Sequence, residues 1–232
     1  MYGYWAAAAG TAAVVAAGYH TMAPRSQLYG RTFLGLSRGK SLALTFDDGP
    51  NDPHTLRLLD VLAEHQAKAT FFVIGDFVRR RPDIVRAIAE AGHEIGNHTF
   101  SHPNLIFRSA AETRREIADC DRAIEDAVGR ATRLFRPPHG GRRPSTLRAV
   151  RATGKTPVMW SASGWDWKPH TAEEISALVR RTVRGGDVIL LHDGSHLALG
   201  ADRSASVAAA GLLLKRYRDA GCEFLTVSEM MA

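Results

Sequence analysis

Ser41-Leu42-Ala43-Leu44-Thr45-Phe46-Asp47-Asp48-Gly49-Pro50 is the stretch on which the fold reading turns. An apolar, strand-forming run, Ser41 to Phe46, stops abruptly at two adjacent carboxylates and the turn-forming pair Gly49-Pro50. A helical pattern follows from about Pro53 to His65, with Asp52 placed as N-cap and Pro53 at the first helical position. Strand, polar turn and helix make half of a βαβ unit, and the same rhythm recurs down the chain.

Working outward, further strands are expected at Ala69–Ile74, His93–Gly96, Leu134–Arg136, Lys155–Trp160, Asp187–Leu191 and Cys222–Val227. Helices are expected at Arg81–Ala91, from a Ser109/Glu112 capping box to Val128 with Gly129 as its stop, at Pro144–Thr153, behind a Thr171/Glu174 capping box, and at Ser204–Ala220. Seven strands alternating with helices predict an α/β protein with a parallel sheet, closed or nearly closed into a barrel of about seven strands. Neither a Gly-x-Gly-x-x-Gly turn nor a P-loop is present, which disfavours a nucleotide-binding sheet. The polar clusters fall at the C-terminal ends of the strands. In an α/β barrel those ends converge on one rim, and that rim carries the active site.

The chain has 232 residues, 45% hydrophobic and 23% charged, an ordinary balance that can bury a core without disulfides. Its two cysteines form no framework, and Cys120 reads as a small buried hydrophobe on a helix face with Ile117, Ile124 and Val128. The net charge is +6, with arginine far outnumbering lysine. Arg79-Arg80-Arg81 has no interleaved aromatics and no nucleic-acid motif, so no nucleic-acid partner is expected. Residues 1–40 read as a lead-in ahead of one domain, residues 41–232. Within it, Trp5–Tyr19 is an uncharged Ala/Gly/Val run, short of the ~20 residues of a membrane span. With the cleavage-like Thr21-Met22-Ala23 it is taken as a signal or signal-anchor segment, although no basic stretch precedes it. A helix belonging to the mature protein is the alternative. Membrane contact is expected only through this segment.

Five clusters carry chemistry. Asp47-Asp48 supplies paired carboxylates, which repel unless a cation or a proton separates their roles. His98-Thr99-Phe100-Ser101-His102 sets two imidazoles at i and i+4, among glycines and a proline that suggest a shaped loop or a single turn. Two imidazoles and one of the two carboxylates, the other being free to act as base, leave coordination positions open, which is the mark of a catalytic metal site. Arg136-Pro137-Pro138-His139 holds an arginine stiffly, with the His139 amide the first free donor after two prolines. Trp160 to Trp167 contains three of the chain's four tryptophans, and Trp165 and Trp167 suit a flat sugar face. His192, at the end of an apolar strand, is a candidate general acid or base.

Together, in order and spacing, these clusters resemble the five motifs of the NodB-homology polysaccharide deacetylases, carbohydrate esterase family 4, over roughly Ser41 to Val227. The resemblance implies a distorted (β/α) barrel and a metal-dependent hydrolase that removes acetyl groups, chiefly N-acetyl, from a chitin-like or peptidoglycan glycan. It implies Asp47 as base, Arg136 as the partner that orients it, and a water activated at the metal as nucleophile. Asp48, His98 and His102 would hold a divalent ion, usually zinc, with cobalt or another ion as alternatives. It implies His192 as general acid, tuned by Asp166. The His139 amide would stabilise the oxyanion, Trp165 and Trp167 would line the groove, and Leu190 would form part of the acetyl pocket. Two departures stand out: Ser163 where the family commonly has aspartate, and His139 where it often has tyrosine. The implied location is the cell envelope or outside the cell. O-deacetylation of xylan and hydrolysis of another C–N amide are the alternatives within the class. The same ligand triad would also serve an iron oxygenase, and a dead site would leave a sugar-binding module.

Overall fold

A computed structural model describes residues 15–232. Eight strands form one wholly parallel sheet: β1 (Ser41–Gly49), β2 (Ala69–Val73), β3 (Glu94–Asn97), β4 (Leu134–Phe135), β5 (Thr156–Pro157), β6 (Ala162–Ser163), β7 (Val188–His192) and β8 (Glu223–Phe224). Their order is β5-β4-β3-β2-β1-β7-β6, with β8 also on β1. The sheet curls back on itself, because its two edges, β5 and β6, belong to one bent stretch of chain. Within that stretch the Val158 N–H donates to Phe135 O of β4 (2.8 Å), and the Ser161 N–H donates to Val188 O of β7 (3.0 Å). The expected strand Lys155–Trp160 is therefore the first part of a longer bent strand. Counting β5 and β6 as one gives the seven strands that the sequence implies. The architecture is a single-domain, distorted (β/α) barrel.

The lead-in contributes to this closure. Phe33 exchanges hydrogen bonds with Pro157 O and the Met159 N–H (2.9 and 2.7 Å), and the Leu36 N–H donates to Gly186 O (2.7 Å). Residues 33–36 thus fill the gap at the base of the barrel. Residues 15–22 are helical, and the earlier part of the proposed signal-like run, residues 5–14, lies outside the described residues. Among the described residues no helix is long and apolar enough to cross a membrane.

Period-two alternation sorts the strand side chains into two layers. On β1, Leu42, Leu44 and Phe46 join the large cluster between sheet and helices, while Ala43 belongs to a separate inner cluster with Phe72, Leu134, Val158 and Val188. The outer cluster is matched by amphipathic helices. Ala110–Val128 turns Thr113, Ile117, Cys120 and Ile124 inward at helical spacing, and burying each large apolar side chain contributes about 1.5–3 kcal/mol. Cys120 is fully buried, as its sequence context suggests, and burial pushes its thiol pKa up.

Several element boundaries differ from the sequence reading. Helix His54–Glu64 has Pro53 at its N-cap with no side-chain cap, and the Asp52 carboxylate pairs with Arg81 instead (2.7 Å). A short helix, Gly75–Arg80, precedes Pro82–Glu90, and a final helix, Val227–Met231, follows β8. Both are too short for hydrophobic periodicity to reveal. The second did leave a readable signal, the Thr226/Glu229 capping box.

Candidate active site

The functional side chains stand at the C-terminal ends of the strands. β1 runs three residues beyond Phe46, so both carboxylates lie on the strand itself. Adjacent residues on a regular strand face opposite ways. Here the β1–β2 register slips between Asp47 and Gly49, and Asp48 takes a left-handed backbone (φ 71°), so that both carboxylates reach the same cleft. Asp47 lies in register with His192 on β7. Of the six non-glycine residues with positive φ among the described residues, four line this cleft (Asp48, His102, His139 and Trp165) and a fifth, Thr99, lies in the loop between His98 and His102. Such backbone costs about 1–3 kcal/mol per residue, and its concentration marks a functional site.

The His98–His102 segment is an irregular loop rather than a helical turn. Left-handed residues Thr99 and His102 fold it so that the two rings lie 5.0 Å apart. Glu116 staples it, accepting hydrogen bonds from the Phe100 and Ser101 N–H groups and the Ser101 hydroxyl (2.8–3.0 Å). The sequence reading missed Glu116, which looks like an ordinary surface residue on its helix.

Asp48 Oδ1 is buried, has no hydrogen-bond partner, and faces His102 Nε2 at 3.1 Å and His98 Nε2 at 3.5 Å. The His98 Nδ1–H donates to Arg136 O (2.8 Å), which fixes the tautomer and aims the Nε2 lone pair into the cleft. Burial drives His102 down to about 4, outweighing the pull of Asp48, so its ring is neutral at neutral pH. For Asp48, burial acts upward, but contacts with His102, His196 and His98 hold the carboxyl well below its usual range. Two imidazoles and one carboxylate converging on one point fit a divalent cation, and their candidate ligand atoms all lie within 4.8 Å of one another. His102, His139 and His196 form a second close group. There, however, the His102 and His196 rings stack nearly parallel (4.4 Å, 19°), a poor arrangement for sharing an ion in both ring planes.

On either side stand two charge pairs. Arg136 is fully buried; its Nη1 donates to Asp47 Oδ1 (2.7 Å) and Thr45 Oγ1 (2.8 Å), and its guanidinium lies 4.1 Å from the centroid of the Phe72 ring. That leaves Asp47 Oδ2 facing His98 Nε2 at 3.7 Å. Across the cleft, His192 Nδ1–H donates to Asp166 Oδ1 (2.9 Å), while Asp166 Oδ2 accepts from the His192 N–H and the Ser206 hydroxyl (2.7 Å each). Burial acts downward on His192, but the Asp166 charge and hydrogen bond overcome it and raise the imidazole to about 9. Asp166 is lowered in turn: burial acts upward, and His192 outweighs it.

The cleft has a volume of about 830 Å³ and contains Asp47, Asp48, His98, His102, His139, Trp165, Trp167, Leu190 and His192 among its lining residues. Trp165 and Trp167 stack at 5.8 Å, each about half exposed, as an aromatic shelf beside His192. Leu190 is buried in the wall, and His139 packs edge-on to His102 (4.7 Å). Ser163, buried, accepts the Trp165 N–H and so supports the shelf (3.2 Å). His196 was not singled out from sequence; its N–H donates to Asp48 Oδ2 (3.3 Å). Arg142 was also missed.

The sequence pattern of the polysaccharide deacetylases matches residues 36–158, more than half of the chain. The chain belongs to the polysaccharide deacetylase family. With that membership comes the reaction class, hydrolysis of carbon–nitrogen bonds other than peptide bonds. The chain is 38% identical to a peptidoglycan-N-acetylglucosamine deacetylase of Bacillus cereus, over 83% of this chain and 88% of that protein. It is 39% identical to a chitooligosaccharide deacetylase of Sinorhizobium fredii, over 78% of this chain and 87% of that one. Among solved structures, a peptidoglycan N-acetylglucosamine deacetylase bound to a benzamide superposes with a TM-score of 0.79 at 35% identity, covering 86% of this chain and 91% of that chain. A CE4 family pseudoenzyme from Bacillus anthracis superposes equally well (TM-score 0.79) at 26% identity, over 86% of this chain and 70% of that chain.

Proposed function

We propose that this deacetylase removes N-acetyl groups from a β-linked glycan of the chitin or peptidoglycan type, with Asp47 as general base and His192 as general acid. The observation that carries the reading is the opposed pair of charge pairs, Asp47–Arg136 and Asp166–His192, on two strands in register beside three converging ligand atoms. A superposable relative is a pseudoenzyme, so the residue roles are argued from this chain's own side chains. The weight therefore rests on these residues.

Asp48, His98 and His102 would hold a divalent ion, and zinc suits a donor set of two imidazoles and one carboxylate. Such an ion, when bound, supplies Lewis acidity that polarises the acetyl carbonyl and activates water. The chain's own groups do the rest. Arg136 occupies one oxygen of Asp47 and leaves the other to take a proton from water. The His139 main-chain N–H serves as a donor to the developing oxyanion. His192, kept protonated by Asp166, delivers a proton to the departing sugar nitrogen, a group that cannot leave as an anion. Leu190 supports the acetyl methyl, and the Trp165–Trp167 shelf takes an apolar sugar face. A substrate of this kind puts the enzyme at the cell envelope or outside the cell.

Acetate release from chitooligosaccharides, peptidoglycan and acetylxylan, with and without chelator, tests the reading. Chelator-sensitive release from an N-acetylated glycan is expected. Release from acetylxylan alone, or release that chelator leaves unchanged, would overturn it.

A further inference from the structure

Ahead of β1, residues 19–26 form a compact turn, with the Ala23 N–H on Tyr19 O (2.8 Å), the Ser26 N–H on Ala23 O (3.0 Å) and His20 Nδ1 against Ser26 Oγ (2.8 Å). The turn is fastened to the loop after Pro138 by one residue. The Arg142 main-chain N–H donates to Thr21 O (3.1 Å). Its Nη2 donates to Ala23 O (2.7 Å), Pro24 O (3.2 Å) and Ser26 O (2.8 Å), while Nη1 donates to Gly140 O (3.0 Å). Arg142 is 1% exposed, and among the described residues no carboxylate pairs with it. Burying an unpaired guanidinium costs several kcal/mol, and here only carbonyl oxygens offset it. A general packing role would be met by an apolar side chain at lower cost. The fork of donors instead fixes one backbone segment against another in a set geometry.

That geometry has a consequence in the cleft. Met22, Pro24 and Arg25 line it together with Asp47, His139 and His192. Arg25 is tied to the bent edge strand, its Nη2 donating to Ser161 O, another residue of the lining (2.6 Å). Met22 is 43% exposed, with its sulfur against Gly141, where an added Cβ would lie 3.7 Å away. A thioether and a guanidinium are thus presented in the lining of the cleft, Met22 beside Gly141 after the His139–Gly140 loop and Arg25 at Ser161.

We propose that residues 21–26 are a strap forming a glycan-binding wall, that Met22 and Arg25 contact a sugar adjacent to the one being deacetylated, and that Arg142 is the positioning residue that holds the strap. The inference deepens the reading above and rests on it for the choice of glycan. Met22 packs on a pyranose face and Arg25 donates to ring hydroxyls. A monosaccharide, confined to the centre between Asp47 and His192, does not need the strap, whereas an oligosaccharide does.

Calorimetric binding of chitotetraose and of N-acetylglucosamine to the full chain tests this without requiring turnover. The paired Met22→Ala, Arg25→Ala variant should weaken chitotetraose by roughly fivefold or more and leave the monosaccharide within about twofold. Arg142→Gln should reproduce the selective loss, and Arg142→Lys, with fewer and unforked donors, should fall between. Leu28→Ala, exposed on the same segment, should bind as the parent does. Both strap side chains are at exposed positions, so the paired variant is informative even if Arg142→Gln does not fold. Unchanged chitotetraose affinity in the paired variant, or equal weakening of both ligands, overturns the strap. A parent protein that binds no chitotetraose overturns it as well. A parent that binds chitotetraose selectively through the strap but releases no acetate overturns only the catalytic reading.

Discussion

Replacing Asp166 with asparagine removes the charge that keeps His192 protonated while preserving the size of the side chain. His192 is raised from 6.5 to about 9. A shift of about 2.5 units corresponds to about 3 kcal/mol of interaction favouring the imidazolium. Without the carboxylate the largest upward influence is gone, burial still acts downward against the weaker pull of Asp48 and Asp47, and the imidazole falls toward its ordinary value of about 6.5. With the pKa taken as about 6.5, the protonated fraction at pH 7.5 would drop from about 97% to about 9%, so kcat/KM should fall about tenfold from this effect alone. At pH 6, with the pKa taken as ~6.5, the fraction is still about three-quarters and the loss is slight. The assay is kcat/KM for acetate release from chitotetraose between pH 5.5 and 10. The alkaline limb should move down by about two units or more in Asp166→Asn. A limb that stays within about half a unit of the parent's would refute the assignment of His192 as an acid tuned by Asp166. Stability gives an independent check with a definite sign. A group whose pKa is raised on folding stabilises fully below its unfolded value, about 6.5, and loses that contribution as pH rises through about 9. Asp166→Asn should therefore cost more stability at pH 6 than at pH 10.

Arg136→Met leaves Asp47 buried without its partner and should lower stability by about 3–5 kcal/mol, read as a reduced urea midpoint, alongside the loss of turnover. Glu116→Gln loosens the loop between His98 and His102, the histidines proposed to hold the metal, and should weaken zinc about 10–100-fold in a competition titration, with the fold retained by circular dichroism. His102→Ala should lose tight zinc binding outright in the same titration, which separates a ligand from a supporting residue. Gly96→Ala would bring a methyl to 2.5 Å from the Phe72 ring and should destabilise by about 1–3 kcal/mol in thermal denaturation, since the ring also underlies Arg136.

Much of the barrel is legible because its elements are local. The Ser109/Glu112 and Thr171/Glu174 capping boxes and the Gly129 stop sit where the sequence indicates, since each depends on residues within one turn of helix. The edge strand, the helices Gly75–Arg80 and Val227–Met231, and the uncapped start at Pro53 are less legible. Each is short or set by a distant partner, as when Arg81 draws the Asp52 carboxylate away from the helix start. In the cleft, the motif residues are recognisable one by one. Glu116, Arg142 and His196 are not, because nothing in their neighbourhoods distinguishes them from surface residues.

By itself, then, the sequence determined the alternation of strands and helices, the family, and a set of chemically capable residues at strand ends. Those follow from periodicity, turn chemistry and motif spacing, which are written into adjacent residues. Only the tertiary structure decided which atoms face which. A register slip and a left-handed Asp48 turn two neighbouring carboxylates into one cleft, and an in-register pair of strands sets Asp47 beside His192. The buried Arg142 ties a segment before β1 to the wall of that cleft. These contacts join residues far apart in the chain, and their energies depend on burial and distance, quantities that exist only once the chain has folded.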